Sequence, residues 1–292
     1  MAKVTATTKN NRAKTEDVRS LGLENTTVTR HAITLSLCNQ KGGAAKTTTA
    51  AALAAIYGQQ GLKVLLVDSD PQANLSLQFG IDTVIRTDLP GTISDLYLLK
   101  DHSDRVAVST NVPGVDIIPS SVYAAEVELG LPTRVGSDLL LATTLNAYRD
   151  RYDLIILDSP PNLGKFVINV LNASDYYLVP VEGSWGLRSV DVIMKLVSEN
   201  SRVYNLKTQF LGVFITMGDR TRLTQVLREE AAQRFPGKFF KSEIRRSTMA
   251  REAAAMSTPV PLYATDSTLA ADYRALAREV AGKIGLKVPA RT

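Results

Sequence analysis

The chain has 292 residues, 45% of them hydrophobic, and a formal charge of +5, which suits one large α/β domain or two small ones. Its one cysteine, Cys38, excludes an internal disulfide and makes a reducing, cytoplasmic setting the expectation. No apolar run approaches the ~20 residues of a membrane-crossing helix, and the first residues lack the apolar core of a signal peptide.

Residues 1–31 are polar, with six Lys/Arg against three acidic residues, and read as a flexible basic tail. Within it only Val18 to Leu23 could form a short helical piece. From residue 32 to 292 short apolar runs alternate with helical patterns. Strands are predicted at Ile33–Cys38, Val64–Val67, Val115–Ile118, Leu154–Leu157, Tyr176–Val181 and Phe210–Ile215. These runs are rich in Val, Ile and Leu and nearly continuous, the mark of strands buried on both faces of a parallel sheet. Helices are predicted over about 47–58, 137–149, 164–172, 187–200, 221–234 and 268–284. The alternation predicts an α/β fold: a single doubly wound, mostly parallel sheet flanked by helices. Ligands of such sheets gather at the carboxyl ends of the strands.

The first strand runs into Asn39-Gln40-Lys41-Gly42-Gly43-Ala44-Ala45-Lys46-Thr47-Thr48, and an Ala-rich helix follows. Strand, glycine turn and Lys-Thr at a helix start form the layout of a phosphate-binding loop, in which backbone N–H groups face anionic oxygens. The residues from Lys41 to Thr48 are the candidate nucleotide contacts. Lys46 would reach the β- and γ-phosphates, and the Thr47 hydroxyl would ligate Mg²⁺. A nucleoside triphosphate with Mg²⁺ is therefore the expected ligand. The standard pattern would place Gly at positions 40 and 45, where this chain has Gln40 and Ala45. If position 45 requires a positive φ, Ala costs about 1–3 kcal/mol there; if it is helical, Ala costs nothing.

The second strand ends in Asp68-Ser69-Asp70-Pro71-Gln72. Two carboxylates at i and i+2 suit a site that holds Mg²⁺ and an attacking water, although Asp and Pro also favour plain turns. The fourth strand ends in Asp158, followed by Ser159-Pro160-Pro161-Asn162-Leu163-Gly164. An apolar strand closing on Asp is a metal-holding arrangement, and the stiff Pro-Pro with a Gly beyond it suits a two-state switch. Further on, nine Lys/Arg stand against three Glu between Arg220 and Arg251, a local excess of six positive charges that suits a polyanion.

The loop Lys41-Gly42-Gly43-x-x-Lys46-Thr47 has the deviant Walker A form and resembles that of the ParA/MinD family of ATPases, whose scaffold is P-loop NTPase-like. The likeness covers the chain from about Ala32 onward. It implies that Asp70 positions or polarises the hydrolytic water, that Asp68 supports the metal shell, and that Asp158 holds Mg²⁺. It implies that Lys41 crosses a dimer interface to the partner's phosphates, making Lys41, Lys46 and Asp70 the expected catalytic set. The segment Val179-Pro180-Val181-Glu182 with Leu187-Arg188-Ser189 resembles, more weakly, a family segment at the dimer face. Thr216-Met217-Gly218-Asp219-Arg220 and Ile244-Arg245-Arg246 resemble the ParA branch's DNA-contacting segments, carrying over Arg220 and Arg246. Arg222, Lys241, Arg245 and Arg251 join them by charge and proximity. The expectation is an ATP-dependent homodimer on nonspecific double-stranded DNA, nucleoid-associated in the cytoplasm, with a ParB-like activating partner and a chromosome or plasmid as cargo.

Two alternatives follow from the same scaffold. A MinD-like, membrane-associated ATPase would need a C-terminal amphipathic anchor, whereas a protein-cargo positioning ATPase would use the same ATPase on another cargo. The stripe Leu269, Tyr273, Leu276, Val280 and Ile284 is instead expected to pack on the sheet. A metabolic enzyme on this scaffold would have no need of the arginine-rich segment.

Overall fold

The computed structural model describes residues 31–289. Apart from His31, the tail expected over residues 1–31 lies outside the described residues. The strands are β1 (Ile33–Leu37), β2 (Val64–Asp68), β3 (Val108–Ser109), β4 (Val115–Ile118), β5 (Leu154–Asp158), β6 (Tyr176–Val181) and β7 (Gln209–Ile215). The helices are α1 (Lys46–Gln59), α2 (Asn74–Gln78), α3 (Ile93–Tyr97), α4 (Ala124–Gly130), α5 (Leu140–Leu145), α6 (Lys165–Asn172), α7 (Gly183–Tyr204), α8 (Arg222–Arg234), α9 (Met249–Ala255), α10 (Val260–Tyr263) and α11 (Thr268–Ile284).

Among the described residues the strands form one sheet of order β3-β4-β2-β5-β1-β6-β7. Every pairing is parallel except β3 with β4. The six predicted strands are all present, and the expected doubly wound α/β fold is the one observed. The two-residue edge strand β3 has too short a pattern to be read in sequence. The same holds for α2, α3, α4, α9 and α10, none longer than seven residues, which packing rather than periodicity sets. The helix expected over 137–149 is shorter, Leu140–Leu145 with a 3₁₀ turn after it.

The continuous apolar strands feed two cores, because successive side chains leave opposite faces of the sheet. Leu65, Val67, Ile155 and Leu157 enter the core under α5–α7. Leu66, Leu154 and Ile156 enter the core under α1 and α11. The stripe of α11 is buried in that second core, Leu276 and Val280 completely. The Tyr57 hydroxyl of α1 donates to the Ala277 carbonyl of α11 at 2.7 Å. The last helix is therefore a core helix. No helix among the described residues is long and apolar enough to cross a membrane.

One glycine sets the far edge. Gly212 in β7 has φ 152°, and a Cβ there would collide with the Lys238 carbonyl. Its absence lets an extended segment lie along β7: Phe240 N–H donates to Val213 O (2.8 Å), Ile244 N–H to Ile215 O (2.9 Å) and Arg246 N–H to Gly218 O (3.1 Å).

Leu276→Ala removes a wholly buried side chain between α11 and the α1 face of the sheet. It should lower unfolding stability by about 2–5 kcal/mol, read from urea denaturation followed by far-UV circular dichroism.

Candidate functional site

Parallel strands end at one edge of the sheet, so the loops after β1, β2, β5, β6 and β7 converge there. The loop after β1 turns by alternating backbone hand: Gly43 has φ 79° and Ala45 φ 62°. Such a run aims successive N–H groups into one concavity, and α1 opens directly from it at Lys46. Nothing lies within 4 Å of where a Cβ on Gly42 or Gly43 would sit, so the space above the loop is open. Position 45 does need a positive φ, and Ala45 bears the strain that the sequence left open.

Asn39 anchors this loop. Its side-chain amide donates to Pro180 O of β6 (2.5 Å), while its Oδ1 accepts from the Lys41 N–H (2.8 Å) and from the Ser189 hydroxyl of α7 (3.1 Å). Sequence reasoning passed over Asn39; its signal was an amide-bearing residue at a strand end directly before the loop.

The loop lines a cavity of about 810 Å³ with Asp70, Gln72, Asn74, Gln78, Met217 and Arg246 among its walls. Lys46 is 6% exposed and lines this cavity. Asp158 pairs in register with Asp68 on one side and Leu37 on the other. It is wholly buried, and neither carboxylate oxygen has a hydrogen-bond partner. Burial pushes its carboxyl up to about 8; the adjacent Asp68 charge adds to this, and the facing Thr47 hydroxyl and then Lys46 oppose it. A buried carboxyl whose two oxygens accept no hydrogen bond is ionised at neutral pH only when a cation compensates it, so the expected role of Asp158 in holding Mg²⁺ fits the donor set.

Asp68 is bound by its own neighbours. Its Oδ2 accepts from the Ser76 N–H (2.8 Å) and hydroxyl (2.7 Å), and its Oδ1 from the Asp70 N–H (3.1 Å). It is fully buried and absent from the cavity wall. Asp68, expected to support the metal shell, ties α2 to the end of β2 through these three donors and stands beside Asp158 in the sheet. Burial pushes its carboxyl up to about 6 against those hydrogen bonds. Asp70 does face the cavity; one of its oxygens accepts from the Gln72 N–H (3.0 Å).

The basic segment divides. Arg245 and Arg246 are neighbours on extended backbone, so their side chains leave opposite ways. Arg245 joins Gly218, Arg220, Lys241 and Asp272 around a separate groove, and makes a bidentate pair with Asp272 (2.6 and 2.8 Å). Arg246 and Arg251 line the phosphate-loop cavity. The six cations expected on one DNA face are thus not one surface: the alternation of the extended backbone sends Arg246 to the cavity, and α9 brings Arg251 to the same wall. Four of the nine cations in the window are neutralised by Glu243, Asp191 with Glu230, Asp272 and Glu182. Arg220, Arg222, Lys241 and Arg251 have no ion pair among the described residues, and all four are exposed.

Lys41 is half-exposed, and its ammonium lies 2.8 Å from Glu182 Oε2. Glu182 was visible in sequence only as a carboxylate at a strand end.

A family model described as an AAA domain matches residues 32–210. The sporulation initiation inhibitor protein Soj of Bacillus subtilis is 35% identical over 85% of this chain and 97% of its own length. The chromosome partitioning protein ParA of Caulobacter vibrioides is 32% identical over 84% of this chain and 92% of its own. Among solved structures, cobyrinic acid a,c-diamide synthase from Mycobacterium smegmatis with bound ATP analog and magnesium aligns with a TM-score of 0.74 and 29% identity. That alignment covers 89% of this chain and all of that one.

Two outcomes test this geometry. Ala45→Gly relieves the left-handed strain and should stabilise the protein by about 1 kcal/mol, measured as a rise in Tm. Asp158→Asn should raise Tm in the absence of Mg²⁺ and nucleotide. A carboxyl held up to about 8 in the fold, against about 3.9 unfolded, favours the folded state only while protonated, and that advantage is lost as pH rises from about 4 to 8. The Asn variant's gain should therefore be larger at pH 8 than at pH 5.

Proposed function

The chain belongs to the ParA-like ATPases of the ParA/MinD family, and we propose that it is a DNA-positioning ATPase whose ATP-bound homodimer holds double-stranded DNA without reading its sequence. In this reading Lys46 and the loop amides from Lys41 to Thr48 bind the phosphates of ATP. Thr47 and Asp158 hold Mg²⁺, which when bound neutralises charge on the phosphate oxygens. Asp70 orients and polarises the hydrolytic water through its cavity-facing carboxylate. Lys41 reaches the phosphates of the second copy, so that dimerisation depends on nucleotide.

The observation that carries the reading is the wholly buried, unpartnered Asp158 carboxylate beside Lys46 and an αL-turned loop of N–H groups. Few chemistries other than a metal-bound polyphosphate satisfy that set together. For DNA the support is the groove bearing Arg220, Lys241 and Arg245, with Arg222 exposed at the start of α8. Guanidinium and ammonium groups on exposed backbone grip phosphates and leave base edges unread. Arg246, on the cavity wall, is shared between the two tasks. An activating partner of ParB type and a chromosome or plasmid cargo complete the proposal, with a nucleoid-associated location in the cytoplasm.

A metabolic reading draws on the likeness to the cobyrinic acid a,c-diamide synthase. It leaves the exposed Arg220, Arg222 and Lys241 without a task. A membrane-anchored reading cannot use the apolar stripe of α11, which is buried in the core.

Binding to a random-sequence duplex at fixed moderate salt, with ATP, with ADP and without nucleotide, tests the proposal. Tight binding is expected with ATP alone. Lys46→Ala should lose ATP binding and with it DNA binding. Arg220→Glu should weaken DNA binding by about tenfold or more and reduce its salt dependence. Equal affinity in all three nucleotide states would overturn the DNA reading.

A further inference from the structure

Glu182 stands where β6 passes into α7, and it is the residue from which that helix starts. An acidic side chain there would ordinarily fold back onto the free N–H groups of its own helix, which carry partial positive charge. Glu182 makes no such capping bond. Its two oxygens are divided between two cations from distant parts of the chain: Oε2 receives the Lys41 ammonium at 2.8 Å, and Oε1 the Arg246 guanidinium at 3.4 Å. Glu182 and Arg246 both line the cavity that the phosphate loop forms.

Lys41 is thereby held at both ends by the same corner of the fold. Its backbone N–H is fixed by Asn39, which is itself bound to Pro180 of β6 and Ser189 of α7. Its ammonium is fixed by Glu182, two residues beyond Pro180. One carboxylate serving two cations leaves a net positive charge of one at this wall of the cavity. Arg246 lines the cavity while Lys41 lies just outside its wall, so an anion entering there meets Arg246 directly and Lys41 through their shared Glu182.

We propose that Glu182 is the positioning residue of Lys41: it holds the lysine ammonium at the β6–α7 corner against competition from phosphate oxygens, and shares its carboxylate with Arg246 so that the two cations respond together. The proposal rests on the reading of the cavity as a nucleotide-phosphate site. Glu182 acts through Lys41 and Arg246; it makes no contact with the reacting atoms. Its effect is to set how much triphosphate is needed before Lys41 changes partner. Lys41 and Arg246 lie about half-exposed or more at the side chain. Exposed pairs of this kind shift an equilibrium by about two- to fivefold.

The test has two readouts. The first is the rate at which the full-length protein, without nucleotide, is acylated at Lys41 by an N-hydroxysuccinimide ester, followed by mass spectrometry with the exposed Lys63 as internal reference. Glu182→Gln should raise Lys41 labelling about two- to fivefold, and Glu182→Asp should bring it back toward wild type. The second is the concentration of Mg²⁺-ATP that half-saturates binding. It should fall by a similar factor in Glu182→Gln.

Unchanged Lys41 labelling in Glu182→Gln would overturn the positioning role. Raised labelling with an unchanged or higher half-saturating ATP concentration would overturn the competition with phosphate. Absence of ATP binding by the wild type would overturn the nucleotide reading instead, and the labelling result would still decide whether Glu182 positions Lys41.

Discussion

A carboxyl group buried at the centre of the sheet, with no hydrogen bond to either oxygen, governs this structure. Asp158 ends the central strand β5, flanked in register by Asp68 on β2 and Leu37 on β1. Its carboxylate is removed from water and given no donor. Holding it there is costly unless a cation arrives, and the arrangement around it makes room for one. Lys46 enters from the start of α1, and the loop above turns its amides inward at Gly43 and Ala45. The strain at Ala45 and the charge at Asp158 are two local costs borne by a scaffold of two large apolar cores. That distribution is ordinary for a binding site, where local stability is given up for ligand affinity.

The two aspartates after β2 show how environment separates like side chains. Asp68 spends its oxygens on Ser76 and on the backbone of Asp70, and becomes a structural tie. Asp70, two residues on, keeps a face to the cavity. The arginine-rich stretch separates in the same manner. Gly212 admits the segment from Lys238 to Arg246 against β7, and the extended backbone then sends Arg245 to an outer groove and Arg246 to the phosphate cavity. A window that reads as one block of positive charge becomes two sites on either side of a single backbone trace. Four of its nine cations are matched by carboxylates drawn from other elements.

Glu182 joins these halves. Through it the loop after β1 and the segment beside β7 share one counter-charge. A lysine of the phosphate loop and an arginine of the basic region are thus electrostatically linked, although 205 positions separate them in the chain, from 41 to 246.

The sequence by itself determined the sheet, the phosphate loop and the carboxylates at the strand ends. Those features are local: apolar runs bounded by turns, a glycine pair before Lys-Thr, and Asp closing an apolar strand depend on residues a few positions apart. The long helices α1, α7, α8 and α11 were legible for the same reason. Tertiary structure alone decided what each polar group does. The donors that hold Asp68, Ser76 and the Asp70 backbone, and the partners of Arg245 and Arg246, Asp272 and Glu182, emerge only when the chain is folded. The short helices α2, α4 and α9 have too few residues for periodicity to register and exist because packing holds them. The left-handed turn at Ala45 is set by the closure of the loop onto α1, which the alanine's own preference opposes. Charge pairing and backbone strain arise from chain segments meeting in space, and that meeting is not written in the order of the residues.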